Sequence, residues 1–205
     1  MQINRRMEWE LAKRVASYVV ALLAATFFLT ACSPKLDWRT VQSPQENYSA
    51  LFPGKPEKLD RKIPYQGREI PQTLEAVKVD DDIYSVSATQ LNQNQVEFLP
   101  SLLGQLQDNL FKRANVNLDS AASADAFYQT ASRQKIAIKD YFLEFPSTGA
   151  IETSMRVRWI TRMTPERGAW VYQISVLHTA PARVEPKKFF SEEAYLNFFD
   201  EFRPE

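Results

Sequence analysis

The feature that most constrains the fold is an alternation of apolar and polar side chains in two neighbouring segments, residues 155–163 and 170–177. A period of two places successive side chains on opposite faces of an extended chain, so both segments are predicted to be β-strands. Residues 164–168 (TPERG) have the composition of a turn, which predicts an antiparallel hairpin. On the first strand one face carries Met155, Val157, Trp159, Thr161 and Met163, and the other carries Arg156, Arg158, Ile160 and Arg162.

Other extended segments are predicted on both sides of this hairpin. They cover residues 48–52, the surroundings of 63–65, and residues 73–79, 83–91, 133–139 and 141–145. The aspartates at 80–82 predict a hairpin turn, because Asp tolerates turn backbone. We expect a second turn at Lys139-Asp140, and a loop of small residues at 117–126.

Two segments switch to the helical period. Residues 98–113 carry a leucine stripe at 99, 102, 103, 106 and 110, with Pro100 in the first turn. Residues 192–202 place aromatic side chains at 195, 198, 199 and 202, and Ser191 is the expected N-cap, with Phe190 packing on Tyr195. The elements predict a single α+β domain.

The first 31 residues are predicted to be a signal peptide. Basic residues at 5, 6, 13 and 14 precede an uncharged run from Val15 to Ala31, which is shorter than the roughly 20 residues of a spanning helix. The run ends in Leu29-Thr30-Ala31-Cys32, which looks like the lipobox of bacterial lipoproteins. We therefore predict lipid on Cys32, the single cysteine. An ordinary membrane anchor, or a cleaved signal with a chance cysteine, is the alternative.

Residues 33–47 are polar, with two prolines, and predict a linker between the lipid and a domain at 48–205. Ser33 follows the acylated position. In Gram-negative lipoproteins an Asp there typically marks retention at the inner membrane, so Ser33 predicts the outer membrane, with the domain facing the periplasm.

The charge of the mature chain argues against one class of partner. The predicted signal peptide holds four of the 25 basic and two of the 25 acidic residues, so the mature chain carries 21 against 23. A net charge of −2 does not fit a general nucleic-acid binder.

The sequence holds little that predicts catalysis. His178 is the single histidine, which excludes two-histidine zinc motifs, and no Gly-x-Ser-x-Gly elbow presents a serine to it. A plain structural role for His178 is favoured over a Ser-His-Asp hydrolase. Asp80-Asp81-Asp82 could help to bind calcium, but a solvated turn is favoured because the 12-residue loop of that motif is missing. We expect no cofactor, no metal and no enzyme activity.

The arginine face is the candidate site. Arg156, Arg158 and Arg162 on one strand face, with Arg167 in the turn, could bind phosphate or carboxylate groups. Near a membrane these groups could belong to lipid headgroups, a glycan or an acidic partner protein. The alternative, which is favoured, is that these residues keep a half-exposed strand soluble and block edge pairing. Trp159 and Trp170 are expected in the core.

The element order, the opening Tyr48-Ser-Ala-Leu-Phe52-Pro53-Gly54-Lys55-Pro56 and the closing Phe198-Phe199-Asp200-Glu201-Phe202 resemble the PsbP/DcrB-like superfamily over residues 48–203. This resemblance implies a twisted, mainly antiparallel sheet flanked by helices, an α/β/α sandwich. It also implies a binding or assembly role, usually without catalysis, as in its bacterial lipoproteins, photosystem assembly factors and nuclear-import accessory protein. We expect a lipid-anchored binding or assembly module with an envelope protein as partner. A carrier of a small apolar or anionic ligand is the alternative, and a hydrolase is less favoured.

Overall fold

A computed structural model describes residues 36–130, 132–148, 151–181 and 184–205. The predicted signal peptide and Cys32 lie outside the described residues. Residues Leu36–Glu205 form one compact unit. None of the helices in the described ranges has the length and apolar character needed to cross a bilayer.

The described residues form a seven-stranded sheet and a three-stranded sheet, both antiparallel. The strands are β1 (Arg39–Ser43), β2 (Tyr48–Phe52), β3 (Glu57–Tyr65), β4 (Arg68–Val79), β5 (Asp82–Leu91), β6 (Ala122–Gln129), β7 (Lys135–Thr148), β8 (Ile151–Met163), β9 (Ala169–His178) and β10 (Arg203–Pro204). The larger sheet has the order β3-β4-β5-β9-β8-β7-β6, and the smaller has the order β1-β2-β10. The chain is therefore a single α+β domain dominated by antiparallel strands, and the predicted hairpin at 155–177 is confirmed.

Two predicted breaks in the larger sheet are wrong. The expected turn at Lys139-Asp140 is absent, because β7 runs without interruption from Lys135 to Thr148. The alternation continues through Asp140, which pairs with Arg158 in the register of β7 and β8. The predicted loop at 117–126 ends earlier than expected, because β6 begins at Ala122.

The predicted linker at 33–47 also contains structure. Its residues Arg39–Ser43 form β1 and pair with β2, so the folded part begins before residue 48. The chain is already bonded to the fold at Asp37, whose N–H donates to the carbonyl oxygen of Pro53 at 3.0 Å. The polar sequence of β1 does not predict a strand, because this strand is stabilised by its pairing with β2.

The long helix covers one face of the larger sheet. A 3₁₀ helix (Gln93–Phe98), capped by the Asn92 side chain, leads directly into α1 (Leu99–Arg113), which confirms the predicted helix. Leu110 and Phe111 pack on Leu143, Val157 and Trp159 of the sheet. Leu102 packs nearer the β3 edge, in a second cluster with Tyr65, Ile70 and Leu91.

The C-terminal segment and the smaller sheet cover the opposite face. Two short helices, α2 (Pro186–Phe189) and α3 (Glu193–Asp200), follow β9. The predicted aromatic face is buried there: Tyr195, Phe198, Phe199 and Phe202 pack with residues of β2, β5 and β9. Full burial of one such ring contributes about 1.5–3 kcal/mol.

One detail of the last helix differs from the prediction. The helix begins later than expected, and the residue at its N-cap is Glu192 rather than Ser191. The Ser191 hydroxyl instead donates to the carbonyl oxygen of Lys188 at 2.6 Å, so it ends the preceding turn. Phe190 does pack on Tyr195, with ring centroids 5.1 Å apart.

Candidate functional site

Two of the four candidate arginines are inside the protein. Arg156 is 5% exposed and Arg158 is fully buried, so the expectation of a half-exposed arginine face is wrong for both. Their strand face lies under the C-terminal segment, where the neighbouring Ile160 and Tyr172 belong to the core. A sheet covered on both faces has no solvent face, and alternation alone cannot reveal this.

Asp140 binds both guanidinium groups. Arg156 Nε and Nη2 lie 3.0 and 2.5 Å from Asp140 Oδ2. Arg158 Nε lies 2.6 Å from Oδ1, and its Nη2 lies 3.0 Å from Oδ2. The register produces this arrangement, because Asp140 pairs with Arg158 and the next inward residue of β7, Phe142, pairs with Arg156. Burial lowers the pKa of Arg156, and the Asp140 carboxylate opposes that shift.

The same guanidinium groups hold the C-terminal segment on the sheet. Arg156 Nη1 donates to the carbonyl oxygen of Phe190 at 3.0 Å, and Arg158 Nη1 donates to that of Phe199 at 2.7 Å. The Arg156 guanidinium also lies 4.1 Å from the centroid of the Phe199 ring, a cation–π contact. Most of the donors of Arg156 and Arg158 are therefore used inside the fold. We call Asp140, Arg156 and Arg158 the ion network.

The other two candidate arginines lie elsewhere. Arg162 is partly buried near Tyr172, and its Nε has no hydrogen-bond partner among the described residues. Arg167 is exposed in the β8–β9 turn with a φ of 60°, in the left-handed region. The four candidate arginines therefore do not form one anion-binding row.

A groove of about 510 Å³ opens above the ion network, between β6 and the segment that contains α2 and α3. Asp140, Arg156, Arg158, Phe142 and Phe190 lie on its buried side. Its exposed lining has both signs of charge and some apolar surface: Asp125, Lys135, Lys187, Leu196, Asp200, Glu201 and Arg203. Asp200, which is 59% exposed, lies 3.5 Å from Arg158 Nη2 and links the rim to the ion network.

The strand beside this groove differs from the other edge strand of the larger sheet. At the far edge, β3 has five charged residues and Pro64 in a nine-residue strand. Charges and proline are the usual means by which edge strands avoid pairing with other chains. In contrast, β6 (ASADAFYQ) has a single charged residue, Asp125, and exposes 57% of Phe127. The edge beside the groove therefore lacks that protection.

His178 lies in a separate polar cluster. Its Nδ1 is 2.7 Å from Asp82 Oδ1, and the Tyr195 hydroxyl donates to Asp82 Oδ2 at 2.9 Å. The Phe189 ring lies against the imidazole, with centroids 4.5 Å apart. Burial and the nearby Asp82 raise the pKa of Tyr195 far above its ordinary value, so the Tyr195 hydroxyl stays protonated and acts as the donor to Asp82. The cluster ties α2 and α3 to the ends of β5 and β9.

A serine completes a row across the sheet. Ser154 on β8 pairs with His178 in the strand register, and His178 pairs with Asp82. This is the residue set of a Ser-His-Asp triad. However, Ser154 Oγ is buried and has no hydrogen-bond partner among the described residues. A substrate carbonyl could not reach this oxygen in the present conformation.

The remaining sequence predictions concern the aspartate turn and the tryptophans. Asp80 and Asp81 form the β4–β5 turn, with a φ of 51° at Asp80, whereas Asp82 is the first residue of β5. Within the described ranges, no three His, Cys, Asp or Glu side chains come together as a metal site. Trp159 and Trp170 are each 5% exposed, which confirms the prediction that they belong to the core.

Sequence reasoning missed Asp140 and β6 as parts of the site. One signal was present for Asp140: a lone carboxylate between Ile138 and Phe142, in phase with an alternating strand. No protein-family model, curated protein or solved structure matches this chain.

Proposed function

We propose that the protein is a lipid-anchored, non-enzymatic binding or assembly module of the bacterial envelope. The lipid is on Cys32, the domain faces the periplasm, and Ser33 favours the outer membrane. The groove between β6 and α3 is its contact surface, and an extended segment of another envelope protein is its partner. As part of this proposal, the layers of the domain are those of a PsbP/DcrB-like sandwich, with α1 on one face and the C-terminal helices on the other.

The observation that carries the proposal is the position of the groove beside a strand edge that has a single charged residue and no proline, although the end of α3 and β10 contact part of β6. An extended peptide can add to such an edge through main-chain hydrogen bonds, while pockets beside it select side chains. The walls are pre-formed, because the ion network fixes both the sheet and the chain at Phe190 and Phe199. A pre-formed site loses less conformational entropy on binding.

The short distance between the two walls of the groove, β6 and α3, favours a single extended chain as its occupant over a second folded sheet. Arg158 Nη1 donates to Phe199 O at 2.7 Å and contacts Phe127 O at 3.4 Å, so the end of α3 stands close to β6. Two copies of β6 could not approach edge to edge without bringing both α3 helices together. This supports an extended segment as the occupant rather than a second copy.

The folded part of the chain begins close to Cys32, and this bears on where the partner is located. Asp37, five positions after Cys32, is already bonded to Pro53. Five residues span at most about 18 Å in any conformation. A lipid on Cys32 would therefore hold the domain close to its membrane, which favours a partner at that membrane.

A small anionic ligand is the second candidate for the same groove. Its supporting observation is that the ion network has two buried cations and one buried carboxylate; among the described residues, the other carboxylate paired with these arginines is the exposed Asp200. Native mass spectrometry of gently extracted protein would reveal such a ligand as added mass.

Site-specific photocrosslinking in intact cells tests the proposal. A benzophenone amino acid replaces Leu196, which lines the groove and is 38% exposed. The matched control carries it at Leu59, which is 58% exposed on β3 at the other edge of the sheet. We expect a heavier adduct from the Leu196 position alone, with the crosslinked peptide mapping to one short segment of one envelope protein.

Three other results would overturn the proposal. Equal adducts from both positions would indicate non-specific encounters, and no adduct from either would remove the groove as a protein contact. An adduct of twice the protein's own mass would identify a second copy as the occupant.

A further inference from the structure

A second cluster of buried polar groups lies where the smaller sheet meets the β3–β4 edge of the larger sheet. Glu46, in the β1–β2 turn, and Glu75, on β4, are each 5% exposed. Lys58 on β3 contacts both carboxylates: its Nζ lies 2.7 Å from Glu46 Oε1 and 4.0 Å from Glu75 Oε1. The two carboxylates therefore point toward one place.

Each carboxylate has one satisfied and one unsatisfied oxygen. Glu75 Oε1 accepts a hydrogen bond from Ser43 Oγ at 2.7 Å, and Glu46 Oε1 accepts from Lys58. Glu46 Oε2 and Glu75 Oε2 are buried and have no hydrogen-bond partner among the described residues. A buried carboxylate oxygen without a donor or a cation is costly, since water cannot replace the missing partner.

The charges of this cluster are also unbalanced. Two buried carboxylates face one ammonium group, so the cluster keeps one negative charge. Lys58 is the most exposed member, with 38% of its side chain accessible, and can turn outward to solvent. Without Lys58, the two carboxylates match the charge of one divalent cation.

The backbone around the cluster is fixed independently of its charges. The Tyr172 hydroxyl donates to the carbonyl oxygens of Glu46 and Asn47 at 2.8 and 3.0 Å. The N–H of Glu205 donates to Asn47 O at 2.8 Å. The backbone of the turn that carries Glu46 is therefore held in place.

We propose that Glu46, Glu75 and Ser43 form a binding site for one divalent cation, Ca²⁺, which competes with the Lys58 ammonium. The donors are all oxygen atoms, the ligand type of hard cations. Ca²⁺ fits better than Mg²⁺, because Mg²⁺ demands near-octahedral geometry whereas Ca²⁺ accepts an irregular set of oxygen ligands. Water that enters when Lys58 turns outward would complete its coordination. Bound Ca²⁺ fastens the β1–β2 hairpin to β4, and so fastens the membrane-proximal end of the domain.

Calcium titration of the mature, lipidated protein in detergent tests this site. After treatment with a chelator, Ca²⁺ binding is measured by calorimetry, and thermal unfolding is followed with and without Ca²⁺ at constant ionic strength. We expect one bound ion and a higher midpoint of unfolding, with a smaller effect of Mg²⁺. Glu75→Gln, which keeps the shape of the side chain, should weaken binding by roughly ten-fold or more, because affinity follows the charge of the ligands.

Lys58→Met distinguishes a cation site from a salt bridge. It removes the competing ammonium, so Ca²⁺ should bind this variant more tightly and raise its unfolding midpoint further. If the two carboxylates served only to pair with Lys58, the Lys58→Met protein would be less stable than the wild type, and Ca²⁺ would not change its unfolding midpoint. Glu69→Gln is the matched control, because Glu69 is also on β4 but is 67% exposed and pairs with Lys62; its Ca²⁺ binding should equal that of the wild type.

The proposal fails if neither the wild type nor Lys58→Met binds Ca²⁺, or if Glu75→Gln binds it as tightly as the wild type. If Glu75→Gln does not fold, luminescence of Tb³⁺ added to the wild-type protein tests the site instead. Tb³⁺ bound at this site should luminesce on excitation of Tyr48, which lies beside Ser43 and Glu75, and Ca²⁺ should displace it. Absence of this signal in the folded wild type also rejects the site.

Discussion

Replacing Asp140 with asparagine tests whether the ion network holds the C-terminal segment on the sheet. Asp140 accepts four hydrogen bonds from two guanidinium groups, and the side chains of Asp140, Arg156 and Arg158 are 2%, 6% and 0% exposed. An asparagine keeps the shape but removes the charge, and its amide group faces guanidinium N–H donors. Arg156 is then left buried without its counter-charge, and Arg158 keeps the exposed Asp200 at 3.5 Å.

The expected cost follows from that geometry. Removing one partner of a buried ion pair destabilises a protein by about 3–5 kcal/mol, because the remaining charge is uncompensated. For a domain of this size, each kcal/mol lowers the midpoint of thermal unfolding by about 2–4 °C. We therefore expect Asp140→Asn to lower the midpoint by roughly 6–20 °C.

Thermal and urea unfolding of the purified protein, followed by circular dichroism, measures this effect. Asp200→Asn is the matched control, since Asp200 also approaches Arg158, at 3.5 Å, but is 59% exposed. An exposed pair contributes about 0–1 kcal/mol, so the control should unfold within a few degrees of the wild type. If Asp140→Asn lost no more than Asp200→Asn, the assignment of a structural role to the ion network would be wrong.

Three further predictions address the anchor, the histidine and the aromatic core. Cys32→Ser should abolish incorporation of labelled fatty acid, and density-gradient separation should place the wild-type protein with the outer membrane; unchanged labelling would refute the anchor. His178→Ala removes the contact with Asp82 and should lower the free energy of unfolding by about 1 kcal/mol, and it should abolish turnover only if the hydrolase alternative is right. Phe198→Ala should cost about 3–5 kcal/mol in urea unfolding, whereas Leu196→Ala, at a site 38% exposed, should cost far less.

The central hairpin could be predicted from sequence because alternation is a local property. The pairing of β8 with β9 needs only the alternating side chains and a turn of the right composition, and both are visible in residues 155–177. In contrast, β1 has almost no apolar side chains and is stabilised by pairing with β2, a property of the assembled sheet. Its own residues therefore look like a linker.

The position of the arginines could not be predicted for a related reason. Period two separates Arg156 and Arg158 from Val157 and Trp159, but it does not say which face meets water. The second layer that covers the arginines comes from residues 186–202, and its contacts with them are 34 and 41 positions away along the chain. Ile160, in phase with the arginines, was the one local sign that this face is also buried.

A last prediction separates the structural role of the ion network from recognition of a partner. In the triple variant Asp140→Leu, Arg156→Met and Arg158→Met, all three charges are replaced by apolar side chains. Such replacements of a buried ion network are often neutral or stabilising, because the desolvation of the charges is no longer required. In this protein the replacements also leave the carbonyl oxygens of Phe190 and Phe199 without their arginine donors, which has its own cost. We therefore expect the triple variant to lose less stability than Asp140→Asn alone, because no buried charge is left uncompensated.

The triple variant should also keep much of the photocrosslink from position 196, because it retains the strand edge of β6 and the buried aromatic side chains that pack α3 on the sheet. The single variant Asp140→Asn should lose much of this adduct, since unpaired arginines displace the chain at Phe190 and Phe199. Adduct yield per folded protein, measured in the same cells, compares the two. A triple variant that folds but gives no adduct would contradict this expectation. The buried charges themselves would then be needed for binding. That result would favour an anionic ligand over strand addition at β6.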